Sequence, residues 1–130
     1  MSVKVSRSLC KRLAHILGGK GSSDGKSCSI MIERKLHATI LGKKYETEHE
    51  IVIQSPGRNG KTLNTGEITL LQSEVQRFVN AARRQGFKIT AIHNHWLFDK
   101  PRLIYLHLET VQNPFVFARK LKKALKVLKK

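Results

Sequence analysis

The residues best suited to chemistry lie together in FKITAIHNHWLFDKPRLIYLHLE, positions 87–109. There His93, Asn94, His95 and Trp96 close one apolar run, and His107 sits in the next. Apolar strands ordinarily end in Gly, Asn or Asp, which turn the chain at little cost. Two imidazoles and an indole at such an end place titratable, ligand-capable groups at a rim, where pockets form. His93 and His95 are two apart, so in an extended strand both rings point to one face and can meet one divalent ion. A third donor is then needed, and His49, Glu50, Glu67 and His107 are the candidates.

Pairing arithmetic favours the first two. If the strands on either side of 96–101 form an ideal antiparallel hairpin, paired positions sum to about 196. His93 then faces Leu103 and Tyr105 faces Ala91, while His107 faces Ile89, about 14 Å along the strand from Leu103. A three-histidine site within this hairpin would need a bulge or another pairing. The expected ligand-binding set is therefore His93, Asn94, His95, Trp96, Tyr105, His49, Glu50 and Glu67, with His93, His95 and His49 as the metal donors. Around a divalent ion, Glu50 or Glu67 is the expected base. Beside this stands the plainer reading that strand-end histidines cap backbone carbonyls. His107, His15 and His37 read as structural or surface residues, and Phe98 as a cover for the edge of the core. Asp99-Lys100-Pro101-Arg102 supplies a turn and two cations, compatible with a small anionic ligand or with a solvated loop. There is no GxxxxGK[ST], GxGxxG after a strand, HExxH or GxSxG, so the motifs name no reaction and leave open whether the chain is an enzyme.

The elements that must carry these residues follow from periodicity. A helix is expected over 8–17 (Leu9, Leu13, Ile16 and Leu17 on one stripe) and a flexible Gly/Ser turn region over 18–27. Strands are expected over 28–33, 36–41, 49–54 and 67–71, with a turn at 42–44. Ser73-Glu74-Val75-Gln76 matches a capping box that would start a helix ending near Gly86. Strands over 87–93 and 103–109 follow, then a helix opened by Pro114. The helix between 71 and 87 permits a right-handed crossover, and the other neighbours are better joined antiparallel. The expected class is α+β, a mixed, mainly antiparallel sheet with helices packed on one face. All 130 residues are expected to form a single domain: N-terminal helix and turn region over 1–27, sheet core with central helix over 28–112, basic helix over 113–130.

Charge is the outlier. Lys+Arg total 25 against 9 for Asp+Glu, a formal +16, and such a field attracts polyanions. The excess sits at the ends, including Arg119, Lys120, Lys122, Lys123, Lys126, Lys129 and Lys130 with no acid between them. The last helix, with Arg7, Lys11 and Arg12 added, is the candidate surface for nucleic acid or another polyanion. No apolar run exceeds four residues and no apolar leader follows the first basic residues, so the expected location is cytoplasmic, without a transmembrane segment. In that setting Cys10 and Cys28 are expected as reduced, partly buried thiols.

GEITLLQSEVQRFVNAARRQGFKITAIHNHWLFDKPRLIYLHLE (66–109) and, more loosely, ATILGKKYETEHEIVI (38–53) resemble the LppY/LpqO-type family of bacterial domains. The matching positions are His49, Glu50, Gly66, Glu67, Glu74, Val75, His93, Asn94, His95, Pro101, Tyr105 and His107. The resemblance sharpens the site without implying a reaction, because the family carries no established activity. Its exported lipoprotein members imply nothing for this chain, which shows no lipobox cysteine.

Overall fold

The computed structural model describes residues 4–128. Helix α1 (Arg7–Leu17) starts where the Ser6 hydroxyl accepts the Leu9 amide and stops at Gly18, whose φ of 73° is the left-handed conformation that glycine adopts freely. Six strands then build one sheet: β1 (Lys20–Ser23), β2 (Ser27–Arg34), β5 (Thr47–Gln54), β6 (Thr62–Leu71), β7 (Lys88–His93) and β9 (Leu103–Gln112). Their spatial order is β1-β2-β5-β6-β9-β7. The short strands β3 (Thr39–Ile40), β4 (Lys43–Lys44) and β8 (Asp99–Lys100) form a second sheet in the order β4-β3-β8. Helix α2 (Val75–Arg84) links β6 to β7, and α3 (Pro114–Leu125) follows β9.

The class is α+β, as expected from the periodicity. Strands β6 and β7 run the same way across α2, but β9 lies between them, so both pair with it antiparallel. The helices share one face of the large sheet. Leu13, Phe78, Phe117 and Leu121 from the helices bury against Ile30, Ile51, Ile53, Ile68, Leu70, Leu106 and Leu108 from the strands. Strand alternation turns the intervening residues, among them Glu50, Glu67, Tyr105 and His107, to the open face.

Several local expectations are corrected. The Gly/Ser stretch is not a flexible turn but contains edge strand β1, registered on β2 from Lys20↔Met31 to Ser23↔Cys28. Gly19 permits this junction, since a Cβ there would stand 2.6 Å from the Met31 carbonyl oxygen. The 36–41 strand shrinks to Thr39–Ile40, and the turn lies at Leu41-Gly42, with Lys43 and Lys44 in the return strand. The Ser73–Gln76 box does not form. Ser73 lies inside a 3-10 turn, and the Glu74 carboxylate accepts the Leu71 amide at 2.8 Å. Glu74 is wholly buried because it also pairs with Arg34, whose other guanidinium nitrogen donates to the Thr69 carbonyl at 2.8 Å. Cys10 and Cys28 are not free thiols. Helix α1 packs on the β1–β2 hairpin, which brings their Cα atoms to 5.5 Å, and the two sulfurs form a disulfide. Closing a loop of this length stabilises a fold by about 3 kcal/mol.

Candidate metal centre on the open sheet face

Strand β9 positions the site. His93↔Tyr105 and Ala91↔His107 are paired, and a bulge separates Ile89 from Ala91. Directly opposed residues share a face, so His93, Tyr105 and His107 all project to the open side. His107 is diagonal to His93, and their Nε2 atoms meet at 3.0 Å. His95 joins from the segment beyond β7, its ring stacked on His93 at 4.8 Å between centroids. The ligand atoms of His93, His95 and His107 lie within 4.8 Å of one another. Glu67, opposite His107 on β6, places Oε2 at 3.2 Å from His107 Nε2 and 3.9 Å from His95 Nε2.

The surroundings combine aromatic walls with carboxylates. Tyr105 packs against His95 with the rings tilted at 30° and 4.2 Å between centroids, and accepts a hydrogen bond from the Trp96 indole at 3.3 Å. Burial pushes its phenol up to about 12, against the opposing effect of that indole, so its proton stays in place at neutral pH. Trp96 is held edge-on against Tyr45 and packs with Leu36, Ala38 and Leu103. Two grooves of about 260 and 170 Å³ flank the histidines. Glu46, Glu48, Glu50, Glu67 and Glu109 line them, five of the nine acids in the chain. A strongly basic protein thus concentrates negative potential around its imidazole cluster.

A family model described as Domain of Unknown Function (DUF1259) matches residues 11–127. The chain belongs to that family. No curated protein and no solved structure matches it.

The DUF1259 domain brings some of the expected residues together and separates others. His93, His95, Tyr105, Trp96 and Glu67 gather at the centre, and Glu50 lines both flanking grooves. Asn94 is exposed, and its side-chain amide donates to the Trp96 carbonyl at 3.0 Å, so it shapes the turn. His107 belongs with the cluster despite the pairing arithmetic. The connection between β7 and β9 diverts through β8, so His93↔Tyr105 and Ala91↔His107 pair with a sum of 198 rather than about 196, and the bulge changes that sum only farther along, to 197 at Ile89↔Leu108. The signal was its strand and its parity with Tyr105; the register hid it. Phe98 does not cover the core edge but is exposed. Arg102 is engaged by Asp99 and by the Trp96 and Leu97 carbonyls, so it braces the loop rather than offering an anion site.

His49 stands apart, buried on the helix-facing side. The β5–β6 ladder ends at Glu50↔Glu67, and the Thr69 amide beyond it donates to His49 Nδ1 at 3.1 Å. The Thr69 hydroxyl donates to the Glu48 carbonyl at 2.8 Å and completes the repair of this splayed ladder end. Burial, with the Arg34 guanidinium nearby, holds the imidazole down at about 3 from an ordinary 6.5. Folded His49 is therefore neutral where an unfolded one takes a proton. Its stabilisation is complete above 6.5 and is lost as pH falls toward about 3. Urea titrations across that window should show wild-type stability falling more steeply than that of His49→Gln, by up to about 1.4 kcal/mol per pH unit. Equal slopes would remove the neutral buried imidazole as a source of acid lability.

Proposed function

We propose that this domain binds a divalent transition metal through His93, His95 and His107, with Glu67 as a fourth donor. The convergence of three imidazoles within 4.8 Å carries the reading. Tetrahedral ligands about 2.1 Å from an ion stand ~3.4 Å apart, so a separation of 4.8 Å closes by about 1.4 Å, a movement that exposed His95 can supply. The cross-strand register adds support. Glu50 and Glu67 face each other directly, and like charges so placed are destabilising unless a cation shares them. The same carboxylates favour a cation over the small anionic ligand considered from the loop lysine and arginine. Imidazole and carboxylate donors suit Zn²⁺ and its neighbours, which would supply Lewis-acid activation of a ligand oxygen. With Glu67 on the ion, Glu50 opposite it is the carboxylate left to accept a proton, and Tyr105 is placed to donate a hydrogen bond. Metal analysis of purified protein should give about one equivalent for wild type and little for His95→Ala; equally low content in both would end the proposal.

A second reading rests on the basic side. Arg119, Lys122, Lys123 and Lys126 form an exposed stripe on and just after α3, with Lys120 half-buried beside it. Across a groove of about 410 Å³ they are joined by Lys11, Arg12 and His15 of α1, with Arg12 stacked over Phe115. Lys129 and Lys130 lie outside the described residues. This continuous surface supports polyanion binding. Affinity for duplex DNA should fall steeply with salt and should drop further in Arg119→Glu/Lys123→Glu; no binding at low salt would exclude it.

Among family members, the 66–109 run supports a place with the LppY/LpqO type. No helix among the described residues is long and apolar enough to cross a membrane. The Cys10–Cys28 bridge supports an oxidising compartment over the expected cytoplasm, where thiols are kept reduced.

A further inference from the structure

The second, three-stranded sheet exposes apolar side chains that the fold does not use. Leu41, Leu97 and Phe98 are 74%, 72% and 65% exposed. They are neighbours: the Leu41 amide donates to the Phe98 carbonyl at 3.2 Å, and Leu97 precedes Phe98 in the loop that Arg102 braces. Leu41 is also strained. It and Gly42 form the two-residue turn between β3 and β4 with φ of 51° and 79°. Both central positions of such a turn need positive φ, which Asn or Gly takes readily. Leucine there opposes the local backbone preference and gains no burial within the chain. Lysines lie on the short strands next to these three residues. Lys44 and Lys100 flank Thr39 from either side, and Lys43 pairs with Ile40, all three exposed. Among the described residues, the carboxylate paired with them is that of the exposed Glu46, at 3.3 Å from Lys44.

We propose that this tip docks on an anionic lipid bilayer. Leu41, Leu97 and Phe98 enter the boundary between headgroups and acyl chains, and Lys43, Lys44 and Lys100 meet the anionic headgroups. Apolar prongs beside lysines are the composition that suits this interface, and the formal charge of +16 strengthens the attraction. Because His95 lies two residues before Leu97, docking brings the imidazole cluster toward the lipid surface. The inference stands on its own residues and does not require that a metal binds.

The test is partitioning of the whole chain onto phosphatidylcholine vesicles with and without phosphatidylserine. The chain has one tryptophan, Trp96, two residues from Phe98, so a blue shift of its emission reports insertion directly. Wild type should bind the serine-containing vesicles and shift. Leu97→Ser/Phe98→Ser should bind at least about 100-fold more weakly with an unchanged melting temperature, since neither side chain is in the core. Lys43→Gln/Lys100→Gln should lose about 25-fold, on anionic vesicles alone. Leu41→Asn should separate the two roles of that position by raising the melting temperature while weakening binding about 10-fold. If wild type and Leu97→Ser/Phe98→Ser bind equally, diffuse charge suffices and the proposal fails. It fails equally if wild type ignores both vesicles. Self-association in sedimentation, abolished by the same substitutions, would in that case assign the tip to a second copy of the chain.

Discussion

Replacing His107 with alanine is expected to lower zinc affinity by at least about 100-fold while leaving the fold intact. Loss of an outer partner of a metal ligand already costs 10–100-fold, and a direct ligand counts for more. The side chain is half-exposed on the open face, away from the Leu106 and Leu108 side chains that the same strand buries. Competition titration with a zinc chelator measures the affinity, and circular dichroism checks the fold. His49→Ala supplies the contrast. It should leave affinity unchanged and destabilise the domain, because His49 holds the Thr69 amide on the other side of the sheet. The opposite pattern, with His49 required and His107 dispensable, would overturn the site as drawn. Zinc needs unprotonated Nε2 atoms, so binding must displace the hydrogen bond that now joins His93 and His107. Affinity should accordingly weaken in acid.

Glu74→Ala is expected to cost 3–5 kcal/mol of stability, measured by urea unfolding, ~3–5 being the usual loss when one member of a buried ion pair is removed. The Arg34 guanidinium is buried with Glu74 and spans β2, the end of β6 and the start of α2. Truncating Glu74 takes the carboxylate away from that buried charge and also frees the Leu71 amide. A loss of this size is a large part of the stability of a typical domain. Arg34→Met/Glu74→Leu should recover most of it, because well-packed apolar substitutes avoid the desolvation that the pair incurs. If Glu74→Ala unfolds at the wild-type midpoint, the pair is not the clamp that its burial implies.

Periodicity carried the architecture because most of the core obeys it. The stripe of Leu13 and Leu17, the alternation of Ile51 with Ile53, and the run through Leu106 and Leu108 each mark one buried face. What alternation cannot show is a charge inside. Nothing in the alternation marks Arg34 and Glu74, which the fold pairs across forty positions of sequence. The helix cap was misplaced for the same reason, since Glu74 serves the Arg34 pair and the Leu71 amide rather than standing as a spacer after Ser73. At the site, residue types named His93 and His95, but the register set by a connection diverted into another sheet decided whether His49 or His107 joined them. The disulfide was equally hidden, because the 5.5 Å approach of Cys10 and Cys28 is created by packing of α1 on the hairpin, not by their spacing.

The insertion of β9 between β6 and β7 makes the candidate centre depend on the assembled edge of the sheet. His93 and Glu67 belong to strands that do not pair with each other, and β9 between them brings both within reach of a common neighbour. Occupancy and folding are therefore two readings of one equilibrium. An ion held across β7, β9 and β6 would rivet that edge, and free ion at 100 times its dissociation constant would add about 2.7 kcal/mol to the folded state. A chelator would correspondingly loosen the far edge of the sheet before it disturbed the disulfide-bound end.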